Sequence, residues 1–330
     1  MSVHVGELVD IDADEIRELI AGMRVKPYEQ FSHFTDESRI ASYEASELHH
    51  YQETGGTVIG ARLEGRLAGL ASVSILEFDS GFFGIRMGRV HPLLMTDKMH
   101  IRDRQRLSEL LIERILSEAK TMGIKQLTLR VNPRDQDLVR AFASAGFDFI
   151  DVIVTYAIDA NMIEESKIRP PRDFIIRTRQ DKDFEQLSRI ARDSFEKDRF
   201  HSDQRFDRRA ADSFHSTWIE NSLRGIAADE VIVAEMSGKA IGFTTLKFNK
   251  DISKALGVRS CSMILSAVDS SVRGKGIYTH MIAGGLRWSR DKADVTDLGT
   301  QVDNLPVQRA WCTLGFKPSV YAVTMHWWDQ

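Results

Sequence analysis

The most informative stretch of this sequence is Val272-Arg273-Gly274-Lys275-Gly276-Ile277-Tyr278-Thr279. The apolar run at residues 262–268 before it predicts a strand, and apolar residues follow it at helical spacing up to Trp288. The two glycines let the backbone turn tightly and direct its N–H groups at one point, where the helix N-terminus adds positive potential. The place therefore suits a phosphate or pyrophosphate, although a single Gly-x-Gly is also typical of an ordinary turn.

The segment after this helix favours the first interpretation. Other nucleotide loops are excluded, because the sequence has neither Gly-x-x-x-x-Gly-Lys-Ser/Thr nor Gly-x-Gly-x-x-Gly with an acidic residue about 20 positions on. Residues 300–316 combine a strand, Asn304, a short helix and a final Gly-Phe. With the glycine loop, this order resembles the coenzyme A half of the GNAT acyltransferase superfamily. Two positions depart from the pattern: Ser271 stands where Gln or Arg is usual, and Trp311 stands where many relatives carry Tyr.

The resemblance implies both a fold and a set of cofactor contacts. Each domain is expected to be α/β (α+β), with a mixed, mostly antiparallel central sheet flanked by helices. The loop would hold the pyrophosphate of acetyl-CoA or another acyl-CoA, Asn304 the pantetheine arm, and the splayed strand before the loop the developing oxyanion. No metal is expected. The implied cofactor contacts are Ser266, Ala267, Val268, Arg273, Gly274, Lys275, Gly276, Ile277, Tyr278, Thr279, Asn304 and Trp311.

Composition limits the class of protein. At 330 residues the chain is comfortable for two domains, and 42% hydrophobic with 28% charged residues is ordinary for a globular protein. A net charge of −4 argues against a nucleic-acid surface. Two cysteines make a disulfide framework implausible and favour a cytoplasmic location. No signal peptide and no apolar run of membrane-spanning length is recognised, so no membrane partner is expected.

The sequence repeats itself. Residues 58–70 align without gaps on residues 231–243, and both segments predict two alternating strands joined by a glycine-containing hairpin. Residues 140–147 echo residues 309–316 in the same way. The repeat predicts an internal duplication.

The two copies differ at the loop. A polar, double-proline segment at residues 159–172 suits a linker, which predicts domains at residues 1–165 and 166–330. The repeat places Asp103 and Gln105 where the second copy has its two loop glycines. Both side chains resist a positive φ, and an acidic group repels a pyrophosphate. The first domain is therefore predicted to be GNAT-like without a coenzyme A loop, and the second to be the competent acyltransferase domain.

Three further stretches narrow the resemblance, at residues 78–84, 198–203 and 218–225. With the loop they resemble the nucleotide-linked amino-sugar N-acyltransferases, the group that includes dTDP-fucosamine acetyltransferase. The resemblance implies transfer of an acetyl or other short acyl group to the amine of a dTDP-linked 3- or 4-amino-dideoxyhexose, by direct attack in a ternary complex. The expected partner is this small-molecule substrate, with no nucleic acid, and the chain is a monomer with an internal pseudo-dimer or a homodimer.

A charged segment at residues 198–208 is the predicted acceptor site. A diphosphate needs cationic donors, which Arg199 and Arg205 supply in forked geometry. A planar base needs an aromatic wall, for which Phe200 and Trp218 are the candidates. The alternatives are a solvated charged loop and, for the aromatic residues that recur four apart up to Trp218, the core face of a helix.

Proton transfer leaves the most alternatives open. Indole N–H has no useful acidity, so Trp311 cannot be the acid, and Tyr278 and Tyr321 are the candidates. His201 has a suitable intrinsic pKa for a base, and Asp203 or His326 could serve directly or through water. Each of these residues is more often structural than catalytic. Two other functions remain open: a GNAT enzyme for a protein, peptide or antibiotic amine, and a non-catalytic acyl-CoA sensor.

Overall fold

The computed structural model describes residues 2–28, 31, 34–162, 171 and 173–329. Contacts divide the chain into two compact units, Met1–Val152 with Tyr321–Gln330, and Ile153–Val320. No helix within the described ranges is both long and apolar enough to cross a bilayer.

Strands and helices are interspersed along the described part of the chain. The strands are β1 (Val3–Glu7), β2 (Thr57–Leu63), β3 (Arg66–Ile75), β4 (Met87–Met95), β5 (Gln126–Val131), β6 (Asp148–Asp159), β7 (Ile175–Thr178), β8 (Glu230–Met236), β9 (Lys239–Phe248), β10 (Ser260–Val268), β11 (Val295–Gln301) and β12 (Lys317–Trp328). The helices are α1 (Ala13–Ala21), α2 (Glu37–Glu53), α3 (Glu77–Phe83), α4 (Ile101–Thr121), α5 (Gln136–Ser144), α6 (Phe184–Arg192), α7 (Arg199–Ser202), α8 (Arg208–Leu223), α9 (Lys250–Leu256), α10 (Ile277–Ser289) and α11 (Leu305–Thr313).

The described residues of the first unit form a six-stranded sheet in the order β1-β2-β3-β4-β5-β12. Neighbouring strands are antiparallel except β4 and β5, which pair in parallel. Apolar residues at helical spacing on α4, among them Leu107, Leu111 and Ile115, pack against the sheet and share one core with Leu127 and Met325. Sequence spacing thus decides which face of α4 is buried.

The described residues of the second unit form a sheet of the same type in the order β7-β8-β9-β10-β11-β6. Here β10 and β11 form the parallel pair, and the other neighbours are antiparallel. Ile282 and Leu286 of α10 belong to one core cluster, and Leu187 of α6, Ile219 of α8 and Phe243 of β9 belong to another. The mixed, mostly antiparallel fold predicted from the sequence is confirmed.

The internal duplication is also confirmed in the details of each copy. Strands β4 and β10 show the same order of buried and exposed residues over all nine positions. Helices α3 and α9 each end at a glycine in the left-handed region, Gly84 with φ 68° and Gly257 with φ 71°. The N–H of each glycine donates to a carbonyl in the last turn of its helix, and the left-handed conformation is free of steric cost only in a residue that lacks a Cβ.

The sixth strand of each unit comes from an unexpected part of the chain. In the first unit β5 pairs with β12, from the C-terminal end, and in the second unit β11 pairs with residues 153–159 of β6. The compact units therefore change inside β6 and inside β12, whereas the sequence placed one boundary near residue 165. A boundary inside a strand carries no glycine, proline or polar signal. Of the predicted linker, residues 163–170 and 172 lie outside the described part of the chain.

Candidate functional site

The glycine loop lies between β10 and α10. Gly274 and Gly276 have φ values of 81° and 76°, in the left-handed region that residues with a Cβ rarely adopt. A Cβ built on Gly274 would have no atom within 4 Å, so the backbone conformation and not crowding requires glycine there. His280 N donates to Gly276 O at 3.2 Å. The preceding N–H groups, at residues 277–279, have no acceptor within the helix and are available to an anion.

Side-chain contacts hold this loop in place. Asp269 Oδ1 accepts hydrogen bonds from the N–H and Oγ of Ser271 at 3.0 and 2.6 Å, and Arg189 donates to Asp269 Oδ2 at 3.0 Å. Arg273 Nε donates to the carbonyl of Val268 at 3.2 Å. Ser271, the departure from the family pattern, therefore has a local partner in Asp269. Residues 273–276 are all exposed to solvent.

Strands β10 and β11 separate beside the loop. Their parallel pairing ends at Met263 and Leu298, although β10 continues to Val268 and β11 continues for three more residues. On its other edge β10 has a bulge relative to β9 between Met263 and Ser266. The backbone of residues 264–268 is thus released from pairing with β11. This is the segment for which the sequence predicts the oxyanion contacts.

Polar side chains from four elements meet next to this opening. Trp311 Nε1, on a side chain that is 2% exposed, donates to the Tyr278 hydroxyl at 3.1 Å. Ser266 also forms a hydrogen bond with Tyr278, and its Oγ lies 2.7 Å from Thr244 Oγ1. Burial raises the pKa of Tyr278, and the hydrogen bonds from Trp311 and Ser266 offset this only in part. The phenol is therefore protonated at neutral pH and can donate a proton.

The loop after β11 carries Asn304 at the start of α11. Asn304 Nδ2 donates to Thr300 Oγ1 at 2.9 Å. Gln308 Nε2 donates to the carbonyl of Val302 at 2.8 Å, and Tyr156 donates to Gln308 Oε1 at 3.3 Å. The Tyr156 ring also packs edge-on against Trp311, with centroids 5.3 Å apart. Asn304 and Trp311 are therefore fixed to the same end of the sheet as the glycine loop.

The corresponding position in the first unit has a different structure. Residues 102–105 already belong to α4, so they form a helical turn in place of a loop. Arg104 is 3% exposed, and its guanidinium donates two hydrogen bonds to Asp135 at 3.0 and 2.6 Å. Asp97 and Asp137 lie 3.6 Å from the same group. The three carboxylates neutralise this cation.

His201 of the predicted acceptor segment is held between two carboxylates. Its Nδ1 lies 2.5 Å from Asp198 Oδ2 and its Nε2 lies 2.9 Å from Asp212 Oδ1, and the side chain is fully buried. Burial lowers the pKa of His201, but the hydrogen bonds to Asp198 and Asp212 outweigh it, and the pKa is raised above its ordinary value. An imidazole with both nitrogens engaged has no free lone pair, so this geometry does not supply the base predicted from the sequence.

Asp203 forms an ion pair with one of the predicted substrate-binding arginines. Arg205 donates to its two carboxylate oxygens at 2.8 and 3.0 Å, and Asp203 is 4% exposed. The geometry makes Asp203 the counter-ion of Arg205 and not a free base. Arg205 keeps 41% of its side chain exposed. The Arg199 guanidinium lies 4.3 Å from the centroid of the Phe200 ring.

The aromatic residues of this segment belong mainly to the core. Phe200 is 4% exposed and packs against Phe206 and Phe214, with ring centroids 5.2 and 4.7 Å away. This burial supports the alternative of a helix core face, and the role of Phe200 as a substrate wall stays a prediction. Trp218 is partly buried on the core of α6, α8 and the sheet. Tyr321, a candidate acid, belongs to the first unit and is 40% exposed, and its role stays a prediction.

Several residues of this region were not found from the sequence. Lys197 donates to Asp303 at 2.8 Å and so links the segment before α7 to the loop that carries Asn304. Thr244, Asp212 and His215 are also missing from the predicted set. None of them belongs to a motif, and the available signal was only a polar residue within a strand, a helix or the segment before α7.

The fold and this geometry define a class of protein. Residues 184–316 match the model of the acetyltransferase (GNAT) family. This segment spans the glycine loop, the diverging strands and α11. The resemblance of the glycine loop and the segment after it to the GNAT superfamily is confirmed.

One curated relative is similar to part of this chain. The spore coat polysaccharide biosynthesis protein SpsD of Bacillus subtilis (strain 168) is 31% identical over 147 residues, which are 44% of this chain and 48% of that protein. The chain thus spans about half the length of this curated relative.

Two solved structures share the fold over nearly the whole chain. A tandem GNAT protein from the clavulanic acid biosynthesis pathway has a TM-score of 0.58 at 14% identity and covers 99% of this chain and 98% of its own. A GCN5-related N-acetyltransferase from Sphaerobacter thermophilus has a TM-score of 0.64 at 14% identity. The match covers 99% of this chain and 95% of that protein. At such identities these proteins establish the tandem fold alone.

Proposed function

We propose that this chain is an acyl-CoA-dependent N-acyltransferase with one coenzyme A site, in the second unit. The observation that carries the proposal is the glycine loop at the N-terminus of α10, directly beside the point where β10 and β11 separate. Free N–H groups and a helix N-terminus suit a pyrophosphate, and diverging strands admit an extended arm between them. GNAT enzymes use acetyl-CoA as co-substrate, which agrees with this arrangement.

The residues present fit coenzyme A as a second substrate. Gly274 and Gly276 hold the left-handed conformations that the loop needs, and Lys275 and Arg273 add exposed positive charge. Asn304 and the released backbone of β10 line the opening further in. In the first unit the described residues at the corresponding position, 102–105, are helical and form no such loop, and this supports a single site per chain.

The chain's own residues supply two chemical contributions. Acyl-CoA brings an activated acyl group, and an amine of the acceptor attacks it. Backbone N–H groups on the released segment of β10 stabilise the negative charge that develops on the carbonyl oxygen. Tyr278 is protonated at neutral pH, and its hydroxyl is oriented by Trp311 and Ser266. It donates a proton to the departing thiolate, and the proton that the amine nitrogen loses after attack restores the phenol. Tyr278 thus takes the role that the family gives to a Tyr at position 311.

We assign no base to the side chains singled out from the sequence. His201 has both nitrogens on carboxylates, and Asp203 is the counter-ion of Arg205. The groups around Tyr278 are hydroxyls and an indole. The acceptor ammonium therefore loses its proton to solvent before attack.

The proposed acceptor is an amino sugar linked to a nucleoside diphosphate, of the dTDP-linked 3- or 4-amino-dideoxyhexose type. Two observations support it. The relative SpsD is named for polysaccharide biosynthesis. The charged segment with Arg199 and Arg205 is also linked through Lys197 and Asp303 to the loop of Asn304, so a diphosphate bound there lies near the pantetheine arm.

The test is a steady-state assay of thiol release from acetyl-CoA with a panel of amines. A dTDP-amino-dideoxyhexose is expected to be turned over with a higher kcat/KM than a peptide amine or an aminoglycoside. Arg199→Ala is expected to raise KM for the sugar nucleotide roughly 10- to 150-fold, the equivalent of about 1.5–3 kcal/mol for a charge-assisted contact, with KM for acetyl-CoA unchanged. Arg192→Ala, at an exposed arginine of α6, is the matched control.

Two results would contradict the proposal. Turnover of a peptide or antibiotic amine with no turnover of any sugar nucleotide would exclude the acceptor. Coenzyme A binding without turnover of any amine in the panel would favour an acyl-CoA sensor.

A further inference from the structure

Three metal-binding side chains converge where α7 meets α8. Asp198, His201 and His215 each offer one ligand atom, and these atoms all lie within 4.8 Å of one another. Asp198 Oδ2 is 2.5 Å from His201 Nδ1 and 3.7 Å from His215 Nε2. The two imidazole rings are nearly parallel, with centroids 5.9 Å apart. One carboxylate oxygen therefore faces two imidazole nitrogens.

The other polar atom of each side chain has its own partner. Asp198 Oδ1 accepts a hydrogen bond from Phe200 N at 2.9 Å. His201 Nε2 donates to Asp212 at 2.9 Å, and His215 Nδ1 donates to the carbonyl of Ala211 at 3.3 Å. Metal-binding histidines are oriented in this way, with the nitrogen opposite the ligating one donating to a carboxylate or a backbone carbonyl. The outer contacts thus turn three ligand atoms toward one point.

The surroundings also suit a bound cation. The side chain of His201 is fully buried, that of His215 is 5% exposed and that of Asp198 is 16% exposed. Phe195 stacks on His215 with ring centroids 4.2 Å apart, and the ring centroid of Trp218 lies 6.5 Å from that of His215. An apolar shell keeps competing water away, while the partial exposure of Asp198 leaves a path for the ion.

We propose that Asp198, His201 and His215 form a binding site for a divalent zinc ion. Two imidazoles and one carboxylate are the ligands that Zn²⁺ accepts, and water would complete a tetrahedron. Ligand atoms about 2.0–2.2 Å from a tetrahedral Zn²⁺ lie roughly 3.3–3.6 Å apart, so Asp198 Oδ2 withdraws from His201 Nδ1 by about 1 Å. The ion replaces the hydrogen bond between those two atoms.

This site goes beyond acyl transfer and does not depend on it. It ties the single turn of α7 to α8, and α7 carries Arg199 of the proposed acceptor site. A helix of four residues has little stability of its own. The bound ion would therefore fix the position of Arg199 in this charged segment.

The test uses the full-length protein, first stripped of metal with a chelator and then titrated with Zn²⁺ against a chromophoric competitor. One Zn²⁺ per chain is expected. His215→Gln is expected to weaken binding at least about 100-fold, and Asp212→Asn, which removes an outer partner, about 10- to 100-fold. His49→Gln, at an exposed histidine of α2, is the matched control and should leave the affinity unchanged.

A second measurement needs no variant. Co²⁺ added to the wild-type protein should give the intense visible absorption of a tetrahedral nitrogen and oxygen site, and Zn²⁺ should abolish it. The pale spectrum of octahedral Co²⁺, or a Zn²⁺ affinity equal in wild-type protein and folded His215→Gln, would overturn the proposal. Circular dichroism establishes the folding of each variant.

Discussion

The indole Nε1 of Trp311 donates a hydrogen bond of 3.1 Å to the hydroxyl of Tyr278. The two residues come from different helices, α10 and α11, and Trp311 occupies the position where the family pattern has Tyr. The contact places a phenol from α10 beside the position that a phenol from α11 would occupy. A change of residue at position 311 is thus compatible with keeping an acid in the same place.

The first prediction concerns this acid. Tyr278→Phe is expected to lower kcat roughly 100-fold, at the lower end of what a general acid contributes, with little change in KM for acetyl-CoA. Adding Trp311→Tyr to that variant should restore part of the lost kcat, because a hydroxyl returns to the same region. The measurement is kcat for the single and double variants. An unchanged kcat in Tyr278→Phe would show that the leaving thiol needs no acid from this residue.

The second prediction concerns the glycine loop. Gly276→Asp is expected to weaken acetyl-CoA binding about 100-fold or more, because an aspartate is strained at φ 76° and its charge repels the pyrophosphate. Gly238→Asp is the matched control, at a glycine of φ 77° with no atom within 4 Å of a built Cβ. It introduces the same strain and charge in the hairpin between β8 and β9. Calorimetry should find one site in wild-type protein and in the control, and a value of two per chain would contradict the single-site proposal.

The third prediction concerns pH. Asp297 accepts a hydrogen bond from Ser262 Oγ at 2.5 Å, and burial raises the pKa of Asp297 to about 6. Between about pH 4 and 6 the folded protein keeps a proton that the unfolded chain releases, so this residue lowers the free energy of unfolding as pH rises through that range. Asp297→Asn should therefore gain stability relative to wild type on going from pH 4 to pH 7.5, by about 1–3 kcal/mol. Thermal unfolding midpoints of both proteins at the two pH values measure this difference in stability. Asp291→Asn, at an exposed aspartate, is the control. A constant difference between Asp297→Asn and wild type would refute this account.

The fourth prediction concerns β12, which comes from the C-terminal end of the chain and pairs with β5 in the first unit. Residues 1–165 expressed alone lack β12, which pairs with β5 and contributes Val323, Met325 and Trp327 to the core of the first unit. Each such side chain is worth about 1.5–3 kcal/mol on burial, and the total is comparable to the stability of a domain. The fragment is expected to aggregate through the unpaired edge of β5. Residues 1–152 joined to residues 320–330 by a flexible linker should remain soluble and melt cooperatively, and equal behaviour of the two proteins would count against the prediction.

Local patterns accounted for the architecture. Alternation of apolar residues is a property of neighbours in sequence, so the hairpins at residues 58–70 and 231–243 and the duplication could be predicted from the sequence. The need for a positive φ is equally local, and Gly274 and Gly276 have it. The GNAT-type sheet of each unit was implied by the resemblance that the glycine loop and Asn304 carry.

Contacts between residues far apart in sequence decided the pairing of the terminal strand and the side-chain arrangement of the site. The pairing of β12 with β5 joins residues about 200 positions apart, as between Val131 and Val323, and no local signal specifies it. The contact of Trp311 with Tyr278 spans 33 positions, and the approach of His215 to Asp198 depends on how α8 packs against α7. The tertiary structure also decides which charged side chains form ion pairs. Asp203 and His201 have suitable chemistry for a base, but in the folded chain each lies next to a partner of opposite charge.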